Sequence, residues 1–526
     1  MRSFVFYLVA LFALLSDVQP ARILGLFPHT GRSHQMVFEP LLNKLAERGH
    51  DVHVVSFFPL KNPPANYTDY SLEGISQLGL ESVNLALFEN PNPVMKLLGL
   101  DTLLFKVFAF WPLNEFAINT CMKSMDWPAA KEAFSQQYDL IIVEYFTSDC
   151  MVGLAHVYGI KAPIVAVSSS DLLPWVPDRL GLNDNPAYVP QLTTYFTTKM
   201  NFFNRMENTL LSVYYKYWFR RMIQEKEQEI IEKHFGRRIP DLHDLAKNLS
   251  LIIVNTHYTV NGVRPSLPGV IEAGGMHLDH TRKPIPHYIE RFLNESKEGV
   301  VLLSFGSLIK TATLPKYKEQ MIVNAMSKLK QRVLWKYENS GEEGTLTGNI
   351  LRVKWIPQYE LLQHPKVLAF VAHGGLLGMT EAISAGKPMV VMPFFGDQPT
   401  NGAAAQEVGL AKVVPYAELS EKALFEALQD VLSAEMRVAA RRISEMWKDR
   451  PTKPLDTAVY WTERVIRWGH QSPLHSSARD MTFIQKSLLD VAAAFMIIVI
   501  VLLFVFKFLL SLVPRLLTSG GKQKLH

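Results

Sequence analysis

Twice along this chain, short and nearly continuous apolar runs alternate with amphipathic stretches, and that pattern leaves few folds open. The first series opens with RILGLF (22–27). A helix over 33–48 follows, with Met36, Val37, Leu41, Leu42 and Leu45 on one face and Gly49 as its stop. It continues with DVHVVSFF (51–58), YDLIIV (138–143) and PIVAVS (163–168). From Gly299 the pattern restarts with VVLLSF (300–305), RVLWKY (332–337), ILRV (350–353), VLAFVA (367–372) and PMVVMP (388–393). Helices fit at 316–330, 375–385, 400–408 and 420–432. Strands without polar alternation are buried on both faces, which requires a parallel sheet with helices on each side. The expected fold is therefore α/β, with two doubly wound, Rossmann-like units whose strand C-terminal ends face a shared cleft. Their join falls at 274–286, which holds two glycines and two prolines. No internal sequence repeat accompanies the architectural one.

A length of 526 residues suits two such units plus extra segments. Lys and Arg total 54 and Asp and Glu 49, a net of +5 spread along the chain, which argues against a dedicated nucleic-acid binder. A hydrophobic share of 48% excludes disorder. The 2 cysteines, Cys121 and Cys150, exclude a disulfide scaffold and a four-cysteine zinc site, and their pairing is left open. No G-x-G-x-x-G follows the first strand, and Walker A, H-E-x-x-H and D-x-D are missing. The last absence removes the usual carboxylate pair of metal-dependent sugar-nucleotide enzymes.

Both ends of the chain are apolar. Arg2 precedes FVFYLVALFALL, a run with the form of a secretory signal, so 1–21 is taken as a signal peptide cleaved between Ser16 and Arg22. The block 491–513, interrupted only by Lys507 near one end, is long enough to cross a bilayer, with 489–513 as the transmembrane helix. Residues 22–488 then lie in the lumen, and the sequons at Asn66, Asn248 and Asn294 all fall there. In the tail 514–526, Lys522 and Lys524 resemble a dilysine retrieval signal of the endoplasmic reticulum, or form an ordinary basic membrane flank.

Within the second series lie Trp355-Ile-Pro-Gln358, then His373-Gly-Gly-Leu-Leu-Gly-Met-Thr-Glu381, then Phe394-Phe-Gly-Asp397-Gln398. Together and in this order they resemble the donor-binding signature of the UDP-glycosyltransferases, and HGGLL and RSHQMVFEPLL are most similar to the arthropod branch. The chemistry suits the residue types. VLAFVA ends at His373, and Gly374 and Gly375 let backbone approach a diphosphate at a helix N-terminus. Trp355 offers a flat face to uracil, Gln358 an amide to the nucleoside, and Glu381 a carboxylate to both ribose hydroxyls. Asp397 and Gln398 would contact hexose hydroxyls, and Ser307 matches a family loop near the phosphates. Gly378 stands where many relatives carry a phosphate-contacting serine, leaving only a backbone N–H, and Leu377 replaces the asparagine of other branches.

In the first half, the loop FPHTGRSHQM places His34 where the family has its catalytic base, with His29 a structural or acceptor-lining neighbour. Such a base needs a carboxylate partner. Glu144 at the end of strand 138–143 and Asp149 five residues on both qualify, and Asp149 is slightly preferred as the shorter, more rigid orienter.

The resemblance implies a GT-B enzyme: signal 1–21, acceptor-binding domain 22–273, linker 274–286, UDP-sugar-binding domain 287–450, return helices and membrane-proximal segment 451–488, and membrane helix 489–513. It implies an inverting hexosyltransferase without metal or cofactor, using a UDP-sugar as co-substrate to conjugate small lipophilic acceptors, as in detoxification. UDP-glucose is the expected donor and UDP-glucuronate the alternative. A lipid-directed transferase remains open because 189–235 is rich in aromatic residues, which suit a core, an acceptor wall or a membrane contact. A membrane-anchored binding protein that has lost catalysis is opposed by the intact His34, Glu381, Asp397 and Gln398. A homo-oligomer is left open.

Overall fold

The strand C-terminal ends that build the cleft belong to two parallel sheets. A computed structural model describes residues 20–89, 100–278 and 283–519. The first half supplies β1 (Arg22–Phe27), β2 (Asp51–Ser56), β3 (Tyr67–Ser71), β4 (Val83–Asn84), β5 (Leu140–Glu144), β6 (Ile164–Ser168), β7 (Leu249–Val254) and β8 (Val270–Glu272). The second supplies β9 (Val300–Ser304), β10 (Ile309–Lys310), β11 (Arg332–Lys336), β12 (Thr345–Thr347), β13 (Ile350–Val353), β14 (Val367–Ala372), β15 (Met389–Val391) and β16 (Ala411–Val413).

The first sheet runs β3-β2-β1-β5-β6-β7-β8 and is parallel throughout. The second runs β12-β13-β11-β9-β14-β15-β16, with only the β12–β13 pair antiparallel. In each, the strand order reverses at one crevice, between β1 and β5 in the first and between β9 and β14 in the second. Connections leave such a crevice in opposite directions, and ligands of open α/β sheets sit there. The central strands are apolar along their length because both faces are covered. Leu140–Glu144 and Val300–Ser304 are buried at every position.

The expected strands are present, 22–27, 350–353 and 367–372 as expected, 138–143 shifted to end at Glu144 and the others trimmed. Strands β3, β4, β7, β8, β10, β12 and β16 were not anticipated. Helix Arg32–Glu47 buries Val37, Phe38, Leu41, Leu42 and Leu45 against the first sheet. The aromatic stretch 189–235 becomes a long helix, Phe202–Phe219, one π-turn, Arg220–Gln224, and a further helix, Glu225–Phe235. Tyr215, Trp218 and Phe219 enter the first-half core, whereas Phe202, Phe203, Leu210, Val213 and Tyr217 are exposed.

The chain crosses between halves more than once. Helix Pro454–Trp468 returns to the first half, burying Leu455, Ala458 and Val459 in the core that holds Ile23 and Val52. There Arg48 Nη2 donates to Glu463 Oε2 at 3.0 Å. In the other direction, β4 pairs with β10 of the second half. Both sheets belong to one unit that extends to His475, and a second unit begins at Ser476. Described by itself, the second unit contains a helix, Leu489–Ser519, whose span Leu489–Pro514 has mean hydropathy 3.0, long and apolar enough to cross a membrane. The helix continues past Val513, where the expected span ended, and through Pro514. Most of the expected signal segment, and Lys522 and Lys524, lie outside the described residues.

Candidate functional site

At the first-half crevice, three neighbouring strands deliver three side chains to one point. Helix Arg32–Glu47, which follows β1, carries His34 in its first turn. β5 ends in Glu144, and Ser169 follows β6. His34 Nδ1 lies 2.5 Å from Glu144 Oε1 and 2.9 Å from Ser169 Oγ. A carboxylate only accepts, so Nδ1 carries the proton and Nε2 is left with its lone pair. The His29 ring stacks on His34 at 3.8 Å between centroids, and its Nδ1 accepts from Gly31 N at 2.9 Å. Burial, with the neighbouring His34 adding to it, holds His29 well below the ordinary histidine range, so it stays neutral. Phe146 closes edge-on over both rings. A cavity of about 20 Å³ behind the pair, lined by His29, Phe116, Cys121, Glu144, Phe146 and Cys150, has room for about one water molecule.

Glu144 therefore holds the position for which Asp149 was preferred. Asp149 is buried and accepts from Arg179 Nη1 and Nη2 at 2.8 and 2.7 Å, and from Gln224 Nε2 at 2.7 Å. The π-turn carries Gln224 into this contact. Glu227 accepts from Ser148 Oγ at 2.6 Å and from Asp149 N at 2.9 Å. Burial, reinforced by the Asp149 charge, pushes Glu227 up to about 8. The group acts on the loop after β5, the loop that presents Phe146. Cys121 and Cys150 form a disulfide from helix Pro112–Asp126 to helix Cys150–Val157 beside it.

Across the cleft, β14 ends at Ala372 and His373 follows it. Gly374 has φ +89°, and a Cβ there would lie 2.9 Å from Gln398 O, so only glycine fits this turn. Gly375 then caps helix Leu376–Ser384. Burial pushes His373 down to about 4, with Lys336 adding to the shift, so a neutral ring faces the helix N-terminus. Its buried Nδ1 has no hydrogen-bond partner among the described residues, an orphaned group that a phosphate oxygen would satisfy if it carries the proton. Ser307 is exposed in the loop after β9, and its carbonyl accepts from Glu81 N at 2.9 Å.

Trp355 is half exposed after β13, with Lys283 Nζ over its ring at 5.7 Å from the centroid. Gln358 Nε2 donates to Glu381 Oε2 at 2.5 Å, and burial pushes Glu381 up to about 7. A Cβ on Gly378 would come within 3.2 Å of Gln358 Nε2, so this bridge occupies the space a serine side chain would need. Asp397 caps helix Gln398–Glu407. Its carboxyl is raised by burial, and the hydrogen bond from Asn401 pulls the other way. Gln398 begins that helix. Its side-chain oxygen accepts from Phe394 N at 2.8 Å and Phe395 N at 3.2 Å, so that oxygen shapes the loop.

Sequence reasoning missed Ser169, Phe146 and Asn401. Asn401 Nδ2 donates to Gly374 O at 3.0 Å and to Asp397 Oδ2 at 2.8 Å, tying the two donor loops together. Its signal was available, since it sits four residues after Asp397 on a helix, where side chains share a face.

Comparison with known proteins agrees with this geometry. Residues 24–523 match the family model described as UDP-glucoronosyl and UDP-glucosyl transferase. UDP-glycosyltransferase UGT5 of Dactylopius coccus is 36% identical over 502 residues, covering 94% of this chain and 92% of its own. UDP-glucosyltransferase 2 of the same insect is 33% identical over 528 residues, covering 99% of each. The glycotransferase of kitacinnamycin, a solved structure, aligns with TM-score 0.53 over 86% of this chain and 99% of its own at 15% identity, which speaks to the fold.

Proposed function

The chain belongs to the UDP-glucuronosyl and UDP-glucosyl transferase family, with a GT-B fold, and transfers sugar from a UDP-sugar; from that premise we propose an inverting, metal-independent hexosyltransferase acting on hydroxyl groups of small lipophilic acceptors. The observation that carries this reading is the His34–Glu144 pair, which leaves His34 Nε2 free. His34 Nε2 takes the proton from an acceptor hydroxyl as that oxygen bonds to the anomeric carbon. The anomeric carbon–oxygen bond to the diphosphate breaks, and UDP leaves with the electron pair. Attack opposite the leaving group inverts the anomeric centre. Glu144 stabilises the imidazolium, and the N-terminus of helix Leu376–Ser384 with the His373 ring faces the diphosphate charge. No divalent ion is assigned a role.

UDP-glucose is the favoured donor. The name of the second Dactylopius relative, a UDP-glucosyltransferase, supports that choice. The C-terminal helix would anchor the enzyme in the endoplasmic reticulum membrane with its body in the lumen, and the exposure of Asn66, Asn248 and Asn294 is compatible with glycosylation there. The test is UDP release with a panel of phenols and with UDP-glucose or UDP-glucuronate, with and without chelator, and product anomers read by NMR. Turnover that needs Mn²⁺ or Mg²⁺, or a retained anomer, would overturn the reading.

A further inference from the structure

Between β3 and helix Pro112–Asp126 the chain leaves its own half. Gly79 N donates to Thr30 O, in the loop between His29 and His34, at 3.0 Å. From there Glu81 N donates to Ser307 O at 2.9 Å, Val83 N to Leu308 O at 3.1 Å and Leu85 N to Thr313 Oγ1 at 2.8 Å. Leu85 is fully buried in the core of the second half, among Leu303, Phe305 and Ile309. Phe88 then stacks on Phe395 at 5.9 Å with 8° between ring planes, and meets Phe394 at 6.0 Å. Beyond it, Tyr317 donates to the Glu89 carboxylate, and Lys318 Nζ lies 3.1 Å from Glu89 Oε1.

One segment thus touches the loop of the base at its start, the loop after β9 in its middle and the loop after β15 at its end. The last contact falls where it matters to chemistry, because the turn that Phe88 packs on leads directly into Asp397. We propose that Phe88 is a positioning residue for sugar transfer: seated on Phe395, it sets the depth of the Asp397 loop relative to the His34 loop and so presents the anomeric carbon to the base. The proposal rests on the UDP-sugar reading above. Leu85 and the β4–β10 pair already join the halves, so the Phe88 ring adds alignment. A misplacement of about 1 Å between reacting groups costs up to about 10²-fold in rate. An aromatic ring suits the task, since it fixes a large contact with few rotatable bonds.

The experiment compares wild type with Phe88→Ala, Phe88→Leu and Phe88→Tyr, using UDP as the ligand without a sugar. Phe88→Ala is expected to keep UDP affinity within about 2-fold while kcat falls about 10-fold or more and KM for the UDP-hexose rises. Phe88→Tyr should restore both. Phe88→Leu keeps apolar volume without a flat face and should resemble Phe88→Ala, so it answers the question if the alanine variant unfolds. Equal losses for UDP and UDP-hexose, or an unchanged kcat in Phe88→Ala beside a wild type that binds and transfers, would overturn the inference alone. A wild type that neither binds UDP nor releases it from a UDP-hexose would overturn the donor reading, and this proposal with it.

Discussion

His34 Nδ1 and Glu144 Oε1 meet at 2.5 Å although 110 residues separate them, because β1 and β5 are neighbours at the point where the strand order reverses. The glutamate is buried at the strand end and the histidine is partly open to the cleft. A buried acceptor behind an accessible imidazole fixes the tautomer and favours the imidazolium that forms on proton transfer. The same two strands hold the sheet together and align the base.

Exchanging the two carboxylates one at a time separates orientation from stability. Glu144→Gln should lower kcat by about 10²-fold with little change in melting temperature, because the amide can present the wrong group to Nδ1. Asp149→Asn should act chiefly on stability, since it weakens a buried bidentate pair and leaves the Arg179 guanidinium short of a counter-charge, a defect that costs about 3–5 kcal/mol when one partner is lost outright. Melting curves and single-turnover rates on both variants check the assignment. A stable, inactive Asp149→Asn protein would return the orienting role to Asp149.

Much of the architecture was legible because the central strands are apolar at every position, as in VLAFVA and VVLLSF. β3 was not, since YTDYS buries only Tyr67 and Tyr70 and reads as loop. β7 was an oversight, for LSLIIV carried the same signal and is buried at all six positions. The choice between Glu144 and Asp149 was beyond local reading. What decides it is Arg179 and Gln224, 30 and 75 residues from Asp149, which claim its oxygens. The loop contacts of Gln398 were equally beyond local reading, because a side chain that bonds its own loop has the same sequence signature as one that binds a ligand.

The disulfide closes a separation of 29 residues and ties helix Pro112–Asp126 to the segment behind Glu144. A loop of that size contributes about 3–4 kcal/mol by constraining the unfolded chain. Cys121→Ser with Cys150→Ser should lower the melting temperature under non-reducing conditions. The difference should vanish when wild type is fully reduced. An unchanged melting temperature would mean that the pair does not stabilise the fold.

Glu381 at about 7 makes nucleoside binding depend on pH. Burial favours the neutral acid, and only the carboxylate can accept from both ribose hydroxyls. Affinity for uridine, which carries no titrating phosphate, should strengthen from pH 6 to pH 8 as Glu381 ionises. Glu381→Gln should give a weak, flat profile across that window. NMR titration of uridine at each pH measures it, and a flat wild-type profile would remove Glu381 from the ribose.

Glu227 gives the opposite dependence in a different quantity, the stability of the fold. Its folded value of about 8 stands well above its ordinary 4.5, raised first by burial and then by the Asp149 charge. The folded protein therefore holds a proton that the unfolded chain releases above about 4.5. Below that value the group costs nothing, and as pH rises toward 8 folding loses up to about 1.4 kcal/mol per unit at this site. Glu227→Gln keeps an oxygen to accept from Ser148 Oγ and Asp149 N, and it carries no charge in either state. The variant should melt higher than wild type, with the gap widening from pH 6 to pH 8 and levelling off above 8, where wild-type Glu227 is ionised in both states. A gap that stays constant across that range would show that Glu227 is ionised in the folded protein throughout, with Arg179 compensating both carboxylates.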